Sequence, residues 1–327
     1  MTQEQVKGKL DLLFNNVRAY RHSKNFMDLM RFCSHFKTLA PYNAMLVRFQ
    51  LPGATYVLTA GEWERLYDRG ISPNAQPLVV LFPFGPVDFV FEIKDTYQLN
   101  RDRKKYRTNE EILQEIQKPF KTEGKIRREI FENLIDNLPF HSIDFDPDWN
   151  AASNMGAKIQ ELDSPSNEIR VVIKKGCPPI TCKADYLLST NVQGSPEETF
   201  GGMVHELGHF FCYHLEAPED WLKANKKPWK VRKLSHEAKE FEAECVAWLI
   251  CERLEIKHPA EKYLSLYANE DDDKMIPDGV SIERIFTAFN KVWDMCSRDN
   301  FPCQDGLLYK YKKEFQNRVK QELEKYK

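Results

Sequence analysis

A chain of 327 residues with 42% hydrophobic and 29% charged side chains is long and apolar enough to bury a sizeable core, which excludes disorder by composition. No run of about 18 apolar residues occurs and Met1 to Leu13 has no leader pattern, so the expectation is a cytoplasmic protein with no membrane partner. The formal charge of −2 divides into +6 over residues 1–130 (21 Lys+Arg against 15 Asp+Glu) and −8 over the rest (26 against 34), so the modestly basic N-terminal part could attract phosphates, and the eight scattered cysteines read as reduced thiols rather than a disulfide scaffold.

From Gln3 to about Leu39, apolar residues recur at helical spacing. They run Val6, Leu10, Leu13, Phe14 and Val17, then Phe26, Leu29, Met30, Cys33 and Phe36, and predict two amphipathic helices. A short helix follows Pro41. Strands are expected at Ala54 to Thr59 and Pro77 to Phe82, the latter joined through Phe84-Gly85-Pro86 to Val87 to Lys94 as an aromatic-rich hairpin. Residues 100–125 are polar, read as a linker or exposed loop, and carry the basic cluster Arg101, Arg103, Lys104, Lys105 and Arg107. A helix is expected at about Lys125 to Leu138, then Pro- and Asp-rich chain from Phe140 to Trp149, then a strand at Glu168 to Lys174.

Ser195-Pro196-Glu197-Glu198 specifies a helix start: Ser caps, Pro suits the first helical position, and Glu198 completes a capping box. A lysine-rich loop separates that helix from a second, Ser235 to about Leu254. Ser281 then caps a run to Met295, and a charged helix lies near the C-terminus. The chain is α+β, with boundaries drawn at 1–125 for a small α+β domain, 126–260 for a second domain and 261–327 for a helical extension.

Inside the capped helix lies His205-Glu206-Leu207-Gly208-His209. Residues four apart share a helix face, so His205 and His209 can present two imidazoles to one metal ion with Glu206 beside them. Zinc suits that set: it binds nitrogen and oxygen tetrahedrally and, in catalytic sites, keeps one position for a water whose proton Glu206 would take. A third ligand is offered by the following helix, in Glu237, Glu240, Glu242 and Glu244. Glu240 and Glu244 share a face, so Glu240 can bind the ion while Glu244 holds a ligand histidine by its other nitrogen. For any one of these carboxylates, a solvated helix face is the plainer account. His214, roughly 140° around a continuing helix from His209, reads as structural. His236 is a candidate oxyanion stabiliser. The Cys177/Cys182 and Cys296/Cys303 spacings are wider than the usual zinc knuckle.

The motif HELGH followed by EFEAECVAWLI resembles the ImmA/IrrE family of metallopeptidases. PYNAMLVRFQLPGATYVLTAGEW, with the hairpin after it, is similar to the N-terminal domain of ArdC-type antirestriction proteins. The first resemblance implies a zincin-like metallopeptidase domain with Glu240 as third zinc ligand, cutting a specific protein such as a repressor or a defence or stress regulator. The second implies a domain that binds single-stranded DNA. Phosphate contacts would come from Arg101, Arg103, Lys104, Lys105 and Arg107, and base stacking from aromatics such as Tyr42 and Trp63. Two functional readings follow: a zinc endopeptidase, in the combined form switched by DNA, and a single-stranded-DNA-binding protein that acts without proteolysis.

Overall fold

The computed structural model describes residues 29–30, 32–33, 36, 39, 41–82, 85–99, 107–117, 124–149, 156–162, 167–173, 177–191, 194–224, 229–256, 264, 276–298 and 302–325. The fold is α+β and divides into two compact units. One comprises Met1–Glu123, Arg253–Glu255 and Tyr267–Ile276; the other comprises Gly124–Glu252, Ile256–Leu266 and Pro277–Lys327. The helix expected before residue 20, and Arg101, Arg103, Lys104 and Lys105, lie outside the described residues. Among the described residues no helix is long and apolar enough to cross a membrane.

The first unit contains α1 (Pro41–Gln50), β1 (Val57–Leu58), α2 (Ala60–Tyr67), β2 (Arg69–Ile71), β3 (Leu78–Phe82), β4 (Gly85–Glu92), β5 (Thr96–Gln98) and α3 (Asn109–Gln117). The expected hairpin is β3–β4, with Leu78 opposite Val90, and β1 adds antiparallel to the other side of β4. Trp63 centres the core among Tyr56, Leu58, Ile93 and Ile112, and its indole N–H donates to the Phe91 carbonyl at 2.8 Å. That burial corrects the expectation of Trp63 as a base-stacking platform, because both ring faces are covered. The interior of the expected 100–125 loop is also corrected, since α3 forms there. Thr108 Oγ1 accepts from the Glu111 N–H while the Glu111 carboxylate accepts from the Thr108 N–H, and buried Ile112 anchors the helix inward.

The second unit contains α4 (Arg128–Asn137), β6 (Ile143–Trp149), β7 (Ala157–Glu161), β8 (Glu168–Val171), β9 (Ile180–Lys183), β10 (Tyr186–Asn191) and α5 (Pro196–Phe211). It continues through α6 (Glu219–Ala224), α7 (His236–Arg253, in this unit as far as Glu252), α8 (Ile282–Ser297), α9 (Leu307–Tyr311) and α10 (Lys313–Glu324). β10 is the middle strand of a mixed sheet, parallel to β6 with Tyr186 opposite Ile143, and antiparallel to β7 with Tyr186 opposite Glu161. Among the described residues β7 is therefore an edge strand. β6 occupies the Pro- and Asp-rich stretch because β10 supplies its pairing partner and Ile143 its buried anchor. The residues drawn as a separate helical extension belong, from Pro277 onward, to this unit. α8 packs on α4 and α5 through Ile285, Phe286, Phe289 and Val292, and the Asn137 amide donates to the Met295 carbonyl at its C-terminal end.

α5 begins at the expected capping box of Ser195 and Glu198 and follows directly from the sheet. Two glycines on different faces of it set how near its neighbours come. A Cβ on Gly202 would meet the Ala157 Cβ of β7 at 3.0 Å, and one on Gly208 would meet the Ala243 Cα of α7 at 2.9 Å. The second is a clash with backbone, which cannot rotate away. Gly208→Ala is expected to lower stability by about 1–2 kcal/mol: overpacking against backbone takes the upper half of the roughly 1–3 kcal/mol range, about 2–3 kcal/mol, and the gain in helix propensity returns about 1. Denaturant unfolding measures this, and a variant as stable as wild type would show that the two helices do not approach this closely.

Candidate metal centre

Because α7 meets α5 at Gly208, the acidic face of α7 lies over the two histidines. His205 Nε2 and His209 Nε2 are 3.2 Å apart. The Glu240 carboxylate completes a triangle, with Oε2 at 3.5 Å from His205 Nε2 and Oε1 at 3.3 Å from His209 Nε2. An ion held tetrahedrally at roughly 2.0–2.1 Å has its ligand atoms about 3.3–3.4 Å apart, close to the spacing of the two imidazole nitrogens and of each nitrogen from the carboxylate oxygen nearest it. The three are half-buried and form a group able to hold a metal ion.

The surrounding groups turn the ring nitrogens in the same sense. Glu244 Oε1 lies 3.4 Å from His205 Nδ1, and His214 Nδ1 lies 2.9 Å from His209 Nδ1. With protons on both Nδ1 atoms, both Nε2 lone pairs face the carboxylate, an arrangement that needs a cation between them. Glu244 Oε2 is buried and has no hydrogen-bond donor among the described residues, so the negative charge beside His205 is only partly satisfied. The protein's own groups answer that demand with a proton. Burial opposes charging His205, but its hydrogen bonds to Glu240 and Glu244 outweigh burial and hold its pKa up at about 10. The hydrogen bond from His205 Nε2 drives the Glu240 carboxyl far below the usual carboxylate range. A metal ion binding here takes the proton's place.

Glu206, close enough to the centre to feel the charges of His205, His209 and Glu240, is tethered to the sheet. Its Oε2 accepts the Ile159 N–H of edge strand β7 at 3.0 Å. Burial raises its pKa above the ordinary carboxylate value, and the positive charge on His205 and that N–H only partly oppose the rise.

His214 is where reasoning from sequence fell short. It does stay off the metal triangle, but not because a continuing helix carries it round. α5 stops at Phe211, and Tyr213 adopts a left-handed φ of 64°, so the chain folds back and the His214 N–H donates to the His209 carbonyl at 3.0 Å. His214 Nε2 then meets Glu242 Oε2 at 3.0 Å, and Glu242 also accepts from Arg232. Nothing in the sequence marks this turn, since Tyr has no preference for left-handed backbone.

Of the four glutamates weighed, Glu240 and Glu244 meet the histidines, Glu242 is buried with His214, and Glu237 is exposed. His236 Nδ1 lies 3.6 Å from Glu240 Oε1 with its side chain 89% exposed, on the rim of the centre. Arg107, the one residue of the basic cluster among those described, sets its guanidinium 6.0 Å from the Tyr67 ring centre. All described cysteines are free thiols. Two clefts of about 820 and 990 Å³ in this unit include Asn137, Ile169 and Cys303 in one and Glu161, Asp185 and Tyr311 in the other, and neither is lined by His205, Glu206, His209 or Glu240. No family model matches the chain, and no curated protein or solved structure matches it.

The raised His205 pKa has a sign that can be measured. A basic group favoured by folding contributes fully below its unfolded value near 6.5 and loses that contribution as pH climbs through about 10. Thermal melts of chelator-treated protein should therefore fall between pH 6.5 and 10, and a saturating divalent metal should flatten the profile. A chelated protein equally stable across that range would refute the cluster. Alanine at His205, His209 or Glu240 should each abolish stoichiometric binding of one ion per chain.

Proposed function

We propose that this chain is a zinc-dependent endopeptidase with a zincin-like second unit, acting on a specific protein such as a repressor or a defence or stress regulator. The observation that carries the reading is the convergence of His205 Nε2, His209 Nε2 and the Glu240 carboxylate, with Glu206 adjacent in the chain and anchored by the Ile159 N–H. Two imidazoles and one carboxylate suit zinc far better than magnesium or calcium, which prefer all-oxygen sites. Three protein ligands leave a tetrahedral ion one position for water, the mark of a catalytic rather than a structural site.

Zinc, when bound, supplies Lewis acidity that acidifies water and polarises a carbonyl. The chain's own residues do the rest. Glu206 takes a proton from water as its oxygen adds to the peptide carbonyl carbon. It then passes that proton to the amide nitrogen as the C–N bond breaks, leaving a carboxylic acid and an amine. In the metal-free chain burial raises the Glu206 pKa, the direction that suits a general base. Glu244 keeps its partner's ring proton on the outer nitrogen, as the metal-facing lone pair of His205 requires. The substrate class rests on the resemblance of HELGH and Glu240 to Ile250 to ImmA/IrrE peptidases, which typically cut a regulatory partner rather than digest protein generally.

Zinc-loaded wild type and Glu206→Gln, compared by sequencing the new N-termini each creates in a native proteome, test this. Wild type should yield a short set of cleavages. Glu206→Gln should retain stoichiometric zinc and lose about 10²–10⁴-fold in rate. Cleavage by the variant at the wild-type rate, or none by the zinc-loaded wild type, would refute the proposal.

A further inference from the structure

Beside the metal triangle lies a second cluster that hydrolysis does not use: Cys212, His214 and Glu242, all buried, with ligand atoms within 4.8 Å of one another. Its spacing alone would suit another metal ion, but both nitrogens of His214 and both oxygens of Glu242 are already engaged in hydrogen bonds. Glu242 Oε1 accepts the Ser281 N–H at 2.7 Å, and Glu242 Oε2 accepts from both His214 Nε2 and the Arg232 guanidinium. His214 Nδ1 is taken by His209. A guanidinium on the carboxylate also repels any further cation.

The same bonds have a direction. Arg232 can only donate and an ionised carboxylate can only accept, so the His214 proton sits on Nε2, facing Glu242. A neutral His214 ring then offers Nδ1 as an acceptor, and His209 Nδ1 must donate to it. The His209 lone pair is left on Nε2, the atom 3.2 Å from His205 Nε2 and 3.3 Å from Glu240. We infer that Arg232, Glu242 and His214 form a buried relay of hydrogen bonds that positions His209, fixing its tautomer and ring orientation for the metal; the inference rests on the metal-centre reading above.

The relay is fastened at its outer end. Arg232 also donates to the Gly279 carbonyl at 2.6 Å, so both Arg232 and Glu242 are tied to the turn at 277–281. The Arg232 backbone N–H donates to the Tyr213 carbonyl at 3.0 Å, closing the chain onto the fold-back that delivers His214. His214, Glu242 and Arg232 are thus positioning residues.

His214→Phe keeps a ring but removes both nitrogens, while Glu242 retains Arg232 and Ser281 as partners. Zinc affinity of the full chain, read by competition with a chromophoric chelator, should fall about 10–100-fold, with the melting temperature of chelator-treated protein little changed. His214→Asn, whose carbonyl can accept from His209 Nδ1, should recover part of the loss. Affinity within about twofold of wild type in His214→Phe, or no recovery in His214→Asn, overturns the relay. Two zinc equivalents per wild-type chain with one lost in His214→Phe also overturns it, by making the cluster a second metal site. Should His214→Phe fail to fold, ¹⁵N NMR of the unmodified chelator-treated chain decides, because the relay requires the His209 proton on Nδ1 and a proton on Nε2 overturns it. Wild type that binds no zinc removes the metal centre and the relay together, whereas zinc binding with an indifferent His214 removes the relay alone.

Discussion

The missing side chain of Gly208 is what lets α5 and α7 lie against each other closely enough for Glu240 to reach both histidines. A methyl group there would stand 2.9 Å from the Ala243 Cα, so any larger residue pushes α7, and every carboxylate on it, outward. Between its histidines the motif has two unspecified positions, and neither is idle: Leu207 is fully buried in the core and Gly208 is the contact point. On another face of α5, Gly202 gives β7 the same close access, and β7 then supplies the Ile159 N–H to Glu206. One helix, relieved of side chains at two places, thus offers its imidazoles to α7 and its carboxylate to the sheet edge.

Charge explains why the two histidines are not equivalent. His205 faces two carboxylates, Glu240 and Glu244, and its affinity for a proton rises accordingly. His209 has one carboxylate in front and a neutral imidazole behind, because burial lowers the His214 pKa further than Glu242 raises it. The negative charge of Glu242 is retained despite burial, since the hydrogen bonds from His214, Arg232 and Ser281 more than offset the desolvation. Cys212, by contrast, is held as a neutral thiol by burial and by Glu242, and a neutral thiol is a poor metal ligand.

Local signals were legible in the sequence and tertiary ones were not. The capping box at Ser195, the i,i+4 histidine pair and the shared face of Glu240 and Glu244 are all properties of single helices, and the structure assembles them side by side. The helices around 41–50, 236–253 and 282–297 and the β3–β4 hairpin were readable for the same reason. Strands β6, β7 and β10 were not, because a short strand is defined by its partner: β10 is framed by one parallel and one antiparallel neighbour far away in the chain. Thr108 and Glu111 carried a readable capping box, hidden by the charged residues around it. Glu242 looked like any solvated helix carboxylate, and only the return of residues 232, 214 and 281 to one point distinguishes it.

The turn at Tyr213 joins these threads. A left-handed tyrosine costs roughly 1–2 kcal/mol, which a chain with no use for the turn would avoid by placing glycine or asparagine there. Here the ring is held by Trp229 at 4.2 Å between centres and by the Arg284 guanidinium at 4.3 Å, contacts a glycine could not make. Those contacts act on the ring while the hydrogen bond from Arg232 acts on the carbonyl, so the residue is gripped at both ends. The strain is thus offset by packing outside the centre, and its effect is delivered inside it, where the reversed chain sets His214 against His209. A helix continuing past Phe211 would carry His214 away from His209 and leave that ligand free to rotate. The side chains nearest the ion could then be unchanged while the site lost its order.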